Sequence, residues 1–187
     1  MTLYGYRMWV PGIDNFNNKP ILHSLVAPVV WEDPVLEAQE LSTSLIDYEP
    51  HWGIHSFNTP ESLFEYTDWK ENGSLILGVI APFGLTYFHE KGFRSAKAQI
   101  VALCNYLLCE RCDKQAAVLW RWDLLCPNRH NMNTYALCDF HSGSRFVSDP
   151  HYFISVQDFL TALSKRYQCD IVSLNEFMYM EDEDGIR

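Results

Sequence analysis

Two short pairs of metal-binding residues constrain this sequence more than any other feature. Cys109 and Cys112 are separated by two residues, and Cys138 and His141 repeat that spacing with an imidazole in the last position. Thiolate and imidazole groups at this spacing hold a zinc ion from a tight turn, and four of them complete a tetrahedral shell. We therefore predict one structural zinc ion, with no coordination position left open for water.

The segment between the two pairs predicts a β-hairpin that brings them together. Residues 116–125 and 133–137 have the composition of strands, and residues 126–131 are rich in turn formers. Such a hairpin carries the first pair just before one strand and the second pair just after the other. Both pairs then meet at one end of a zinc-stapled hairpin.

Two alternatives to this ligand set are open. Cys126 and His130 lie four residues apart and could replace the second pair, although this would place them at the hairpin tip, far from Cys109. The alternative without metal is a set of unrelated, partly buried thiols and a surface histidine, because free cysteine often behaves as a small apolar residue. Cys104 and Cys169 are predicted to be core thiols of this kind.

Composition and charge exclude several classes of protein. Hydrophobic residues make up 48% of the 187 residues, enough for a packed core. With 24 acidic and 14 basic residues the net charge is −10, which disfavours general nucleic-acid binding. Cysteine spacing suited to metal favours a reducing compartment. Neither a secretory signal nor a membrane-spanning stretch is evident, so we predict a cytoplasmic protein of a cell or infected host.

The chain as a whole predicts an α+β fold with a mixed, mostly antiparallel sheet and a few short helices. Residues 1–103 are predicted to form the body. Residues 104–187 are expected to supply the zinc-binding hairpin and a C-terminal helix packed on that body, with 181–187 as an acidic tail.

Individual elements follow from local patterns. Strands are expected at 3–10, 21–30, 51–57, 75–83, 85–89, 93–103 and 170–174, with loops at 11–20 and 31–48 and one helical turn in the second loop. Thr59 followed by Pro60 predicts the start of a helix over 58–66. Ser155 is the predicted N-cap of a helix of about three turns, with Asp158 three residues further on.

Residues 6–103 resemble a family of uncharacterised bacterial and phage-encoded proteins of unknown function. The resemblance covers about half of the chain and implies no activity. It rests on short motifs, namely Tyr6-Arg7 with Trp9, Leu22 with Ser24, Trp31, Gly53-Ile54 with Phe57, Gly78-Val79-Ile80, Phe83-Gly84, His89, and Gly92-Phe93-Arg94 with Ala98. Residues 109–141 separately resemble small bacterial zinc-ribbon or zinc-knuckle units, which implies zinc and nothing about a substrate.

Four polar residues are the candidates for an active site. His89, Glu90 and Arg94 lie around the turn at Gly92, and His55 is expected to face the same side. Together they could serve acid–base chemistry or hold an anion. No nucleophile motif, phosphate-binding loop or dinucleotide fingerprint accompanies them. We therefore favour the simpler interpretation of a polar turn with an ordinary ion pair.

Two functional hypotheses follow. The favoured one is a non-enzymatic protein-interaction protein, encoded by a phage or mobile element and acting on a host or defence protein. Trp120 and Trp122, which share one strand face, would be its aromatic anchors. The alternative is a small enzyme that uses the His/Glu/Arg residues on a nucleotide or a modified protein. Self-association into a homo-oligomer is compatible with either hypothesis.

Overall fold

The computed structural model describes residues 3–14, 17, 19–25, 29–38, 53–66, 75–121, 134–143 and 153–180. For Asp113, Trp120, Arg121 and Phe153 it describes the backbone and not the side chain. The predicted acidic tail, the hairpin tip with Cys126 and His130, and the Trp120/Trp122 anchor therefore lie outside the described part. The helical turn predicted within 31–48 is absent from residues 31–38, and residues 39–48 lie outside the described part.

Thirteen strands and four helices are assigned within the described residues, and the fold is α+β as predicted. The strands are β1 Gly5–Ile13, β2 Pro20–Ser24, β3 Val30–Trp31, β4 Val35–Glu37, β5 Ile54–Phe57, β6 Ile76–His89, β7 Gly92–Cys104, β8 Leu108–Cys109, β9 Cys112–Gln115, β10 Val118–Arg121, β11 Thr134–Leu137, β12 Phe153–Ser155 and β13 Asp170–Val172. The helices are α1 Pro60–Tyr66, α2 Asp139–Gly143, α3 Val156–Tyr167 and α4 Leu174–Met178. None of these helices is long and apolar enough to cross a membrane.

The main sheet has eight strands, and four of them form a closed circuit of pairings. β6 pairs with β1 and with β7, while β5 pairs with β7 and, at Tyr6 and Phe57 alone, with β1. All pairings are antiparallel except the parallel pairing of β13 with β7. Gly84, with φ +70°, lies in a register shift of β6, and such a bulge bends a strand enough to help the sheet curl.

Both faces of this sheet are covered by apolar side chains. Strand alternation directs Trp9 of β1 to one face and Tyr6, Met8 and Val10 to the other. The Trp9 face packs against α3 and the strands β10 and β11. The opposite face includes Leu63 of α1 and Phe177 of α4. The cluster on the Trp9 face contains residues from both predicted parts of the chain, 1–103 and 104–187.

Local capping signals placed two helices correctly. The Thr59 hydroxyl accepts a hydrogen bond from the Ser62 amide at 3.2 Å, just before α1. The Ser155 hydroxyl accepts one from the Asp158 amide at 3.0 Å, which makes it the N-cap of α3. Both predictions are confirmed, because each cap satisfies an amide that has no acceptor inside its own helix.

Three element predictions are wrong. Pro11–Ile13 was predicted as loop but continues β1, because these residues pair with β2. Val30 was predicted to end the strand over 21–30, and residues 31 and 35–37 were predicted to lie in a loop. Residues 30–31 instead form β3, which pairs with β2, and residues 35–37 form β4, which pairs with β7. Leu174, predicted to end a strand, begins α4, whose N-cap Ser173 forms a capping box with Glu176. The short helix α2 was not predicted either.

Candidate metal centre

Two turns present the four predicted ligands. Cys109 ends β8 and Cys112 begins β9, so a two-residue turn brings their side chains together. Cys138 follows β11 directly, and His141 is the third residue of α2. The Glu110 amide donates to the Ala136 carbonyl at 3.1 Å, which fixes the first turn against the end of β11.

The four ligand atoms form one compact group. His141 Nδ1 lies 3.4 Å from the Sγ atoms of Cys109, Cys112 and Cys138. The Sγ atoms of Cys112 and Cys138 are 3.7 Å apart, and all four atoms lie within 4.8 Å of one another. A group of three sulfurs and one nitrogen at these distances could hold a metal ion.

Electrostatics in this group favour a thiolate at Cys109. Burial raises the pKa of this thiol. Hydrogen bonds from the backbone amides of Cys138, Arg111 and Cys112 and from the His141 ring outweigh that effect and lower the pKa to about 6. At Cys112 the Lys114 amide lowers the pKa, but partial desolvation and the neighbouring Cys138 and Cys109 raise it overall. Adjacent thiolates repel one another, and a bound cation would remove that penalty.

The remaining described cysteines have a different environment. Cys104 and Cys169 are buried in the apolar clusters on opposite faces of the sheet. Burial raises the pKa of Cys104 to about 11 and that of Cys169 to about 12, so both stay protonated at neutral pH. The prediction that they are core thiols is confirmed. Cys126 and His130, the alternative ligand pair, lie outside the described residues.

The candidate active-site residues are only partly brought together. His55 of β5 lies opposite Arg94 of β7, and His89 ends β6 opposite Gly92. Glu90 is exposed in the turn that follows. Burial, then Arg94, Arg7 and His89, lower the pKa of His55 to about 4. A base with so low a pKa is poorly matched to proton transfer at neutral pH.

A partly buried arginine, Arg7, was not among the predicted site residues. Arg7 donates through Nη1 to the His55 carbonyl and through Nη2 to the Ser24 hydroxyl at 3.2 Å. Its guanidinium carbon lies 5.6 Å from the centroid of the Trp31 ring. The only sequence signal was a charged residue within the aromatic pattern of the first strand, and that signal does not show what the side chain contacts.

No family model, curated protein or solved structure matches the chain. The resemblances of residues 6–103 and 109–141 to known families therefore stay predictions. What the geometry establishes is an α+β chain in which Cys109, Cys112, Cys138 and His141 lie together in a group that could hold a metal ion.

Proposed function

We propose that the chain holds one structural zinc ion and acts by binding another protein rather than by catalysis. The observation that carries the metal assignment is the spacing of the four ligand atoms. Regular tetrahedral zinc, with Zn–S and Zn–N bonds of about 2.3 and 2.1 Å, places two sulfurs about 3.8 Å apart and a sulfur and a nitrogen about 3.6 Å apart. The distances of 3.7 and 3.4 Å match this within the freedom of the side chains.

The donor set supports zinc over the common alternatives. Soft thiolates with one imidazole suit zinc, whereas magnesium and calcium prefer oxygen ligands. Four protein ligands close the tetrahedral shell, which is the structural arrangement rather than the catalytic one. The ion would join the turn between β8 and β9 to the end of β11 and thereby stabilise the junction between distant parts of the chain.

Metal analysis tests this assignment directly. We expect the purified, folded chain to contain one zinc ion per molecule. When a thiol reagent modifies the cysteines, zinc should be released in proportion to the extent of modification. A folded sample that contains no zinc, or iron instead, would contradict the assignment.

Support for a protein partner comes from exposed apolar side chains on the hairpin of β6 and β7. Phe83, Leu85, Tyr87 and Phe88 lie within six consecutive residues, and their exposed fractions are 44%, 68%, 49% and 61%. Exposed apolar side chains clustered in this way mark interaction sites more often than isolated ones do. Large aromatic anchors of this type contribute most of the binding energy in many interfaces.

A capture experiment with matched variants tests the partner hypothesis. We expect tagged protein to retain a specific partner from the native cell or host. The double change Leu85→Ser with Phe88→Ser should abolish capture, whereas Tyr179→Ser should not, although Tyr179 is 70% exposed. Equal capture by all three proteins would contradict an interface at this hairpin. Circular dichroism and zinc content confirm that the variants are folded.

The enzyme alternative has weaker support. The strand register brings His55 to Arg94, but the low pKa of His55 makes it a weak base, and Glu90 is exposed in the turn. That the partner is a host or defence protein follows only from the resemblance to phage-encoded proteins and stays a prediction.

A further inference from the structure

The three thiols of the metal group differ in their access to solvent. Cys109 and Cys138 are 4% and 5% exposed, whereas Cys112, at the start of β9, is partly exposed. Access to the sulfur is one of the conditions that decide which cysteine of a protein is oxidised. A reagent in solution therefore meets the Cys112 sulfur first.

A second thiol lies in contact with Cys112. The Sγ atoms of Cys112 and Cys138 are 3.7 Å apart, and a disulfide bond requires them to approach to about 2.0 Å. The hydrogen bond from the Glu110 amide to the Ala136 carbonyl holds the turn between β8 and β9 beside the end of β11. A disulfide between Cys112 and Cys138 would thus join two sulfurs that the fold has already placed together.

Cys109 is the competing partner for Cys112. It lies directly opposite Cys112 in the pairing of β8 with β9. Its sulfur, however, accepts hydrogen bonds from three backbone amides, those of Arg111, Cys112 and Cys138. Hydrogen bonds of this kind hold the sulfur in position and stabilise its negative charge, which makes it a poorer nucleophile. Cys138 is therefore the favoured partner.

We propose that the metal group is also an oxidation site, at which peroxide joins Cys112 to Cys138 in a disulfide bond and the metal ion is released. The release of zinc rests on the zinc assignment above, whereas the disulfide requires only the two sulfurs. Neither step involves the exposed side chains on the hairpin of β6 and β7.

The oxidation takes two steps. The Cys112 thiolate attacks one oxygen of hydrogen peroxide, the O–O bond breaks, and a sulfenic acid and a hydroxide ion form. The Cys138 thiolate then attacks the sulfenic sulfur and expels a second hydroxide ion, which gives the disulfide. The two sulfurs lose two electrons, the peroxide gains them, and two protons from solvent convert the hydroxide ions to water.

The disulfide removes two of the four ligands. Cys109 and His141 remain, and two ligands do not complete the four-coordinate shell of structural zinc. Strand β11 stays joined to the turn between β8 and β9, because Cys138 directly follows β11 and Cys112 begins β9. Helix α2 loses the connection that His141 makes through the metal. Oxidation therefore releases the helix that carries Phe140, whose side chain is 81% exposed.

Peroxide titration of the full, zinc-loaded chain tests this site. Peroxide is added in substoichiometric steps, and zinc release is followed with a coloured chelator. Disulfides are located by mass spectrometry of digests in which the free thiols have been alkylated without reduction. We expect one zinc ion released for each Cys112–Cys138 disulfide formed, with Cys109 alkylated. Dithiothreitol should reverse both changes, because it reduces a disulfide but not a sulfinic or sulfonic acid.

Two matched variants locate the reacting pair. Cys138→His and Cys109→His each leave two thiols and two imidazoles, a ligand set that also holds structural zinc. Peroxide should release zinc from Cys138→His at least about tenfold more slowly than from the wild type, because the thiol in contact with Cys112 is gone. Cys109→His keeps both reacting sulfurs and should respond like the wild type. If a variant fails to fold, the disulfide map of the wild type decides alone.

The zinc assignment and the oxidation site fail in different ways. A folded chain without zinc overturns the zinc assignment, and the disulfide map of the same sample still decides the oxidation site. Three results would overturn the oxidation site: every thiol free after peroxide, Cys112 oxidised further without a disulfide, or Cys112 joined to any other cysteine. Equal rates of zinc release from the wild type and folded Cys138→His would overturn it as well.

Discussion

The metal centre and the interior of the strand circuit place polar groups in apolar surroundings in opposite ways. At the metal centre, three sulfurs and a nitrogen lie 3.4 to 3.7 Å from a neighbouring ligand atom. In the strand circuit, Arg7 Nε, Ser56 Oγ and Ser95 Oγ have no partner. The first region groups its polar atoms around a position that could hold a metal ion, whereas the second leaves Arg7 Nε and the two hydroxyls unpaired at a cost in stability.

The largest expected effect is the loss of a metal ligand. Cys109→Ser should abolish the metal and lower the melting temperature by about 10 °C or more, since structural metal binding contributes several kcal/mol to folding. Cys169→Ser, which changes a buried thiol outside the metal group, should cost much less. Calorimetry with metal analysis on the same samples measures both effects. Equal losses in the two variants would mean that Cys109 acts only as a core residue.

A glycine comparison tests the packing of the strand circuit. A Cβ atom at Gly92 would lie 1.9 Å from the Ser56 carbonyl oxygen, and at Gly143, beside the metal group, it would meet nothing within 4 Å. Gly92→Ala should therefore destabilise the protein by about 3 kcal/mol and Gly143→Ala by about 0.5 kcal/mol or less. Denaturant unfolding measures both values. A small effect of Gly92→Ala would show that β5 can move away from β7 easily.

The next largest effect is the acid sensitivity that His55 of β5 gives to the strand circuit. The pKa of His55 is about 4 in the folded chain, against an ordinary 6.5, so the folded state binds fewer protons between these values. The stability that His55 contributes is thus complete above about pH 6.5 and is lost as the pH falls toward 4. The His55 side chain is partly exposed to solvent, which screens the charges around it, so we expect this contribution to be only about 1 kcal/mol.

Comparison of the wild type with His55→Gln isolates this contribution, because any loss of bound metal in acid would affect both proteins equally. Unfolding free energies between pH 4 and pH 7 should fall less steeply in the variant. Parallel curves for the two proteins would show that His55 is protonated freely in the folded state.

The smallest expected effect is at the unpaired serines. Ser56→Ala and Ser95→Ala should each change stability by about 0.5 kcal/mol or less, and in the stabilising direction, since each removes a buried hydroxyl that has no partner. Ser24→Ala is the control, because the Ser24 hydroxyl accepts hydrogen bonds from both Arg7 and Trp31. Its removal should lower the free energy of unfolding by about 1 kcal/mol. A clear loss at Ser56 or Ser95 would show that the hydroxyl is satisfied.

The metal group was predictable because its information is local. Two residues between ligands set the spacing of each pair, and the hairpin between the pairs was signalled by strand composition and turn formers. The prediction of the strand near Thr134 and of the N-caps at Thr59 and Ser155 succeeded for the same reason. In each case a few neighbouring residues determine the local backbone.

Other features escaped prediction because their causes lie far along the chain. Pro11 and Gly12 resemble a turn, yet their pairing with Leu22 and Ile21 makes them part of a strand. Gly12 is needed there because a Cβ atom would lie 2.4 Å from His23 Nε2, a contact between strands. Tertiary pairing overrides the local preference of such residues.

By itself, the amino-acid sequence determined the α+β class, the four grouped ligands and the first residues of two helices, since all of these depend on spacing and capping within short segments. Only the tertiary structure decided that β1, β5, β6 and β7 close into one circuit and that polar atoms of Arg7, Ser56 and Ser95 are buried there without a partner. Those residues belong to three strands that are far apart in sequence. Whether a buried donor has a hydrogen-bond acceptor depends on which residues the other strands place beside it. A local sequence pattern carries no information about those residues.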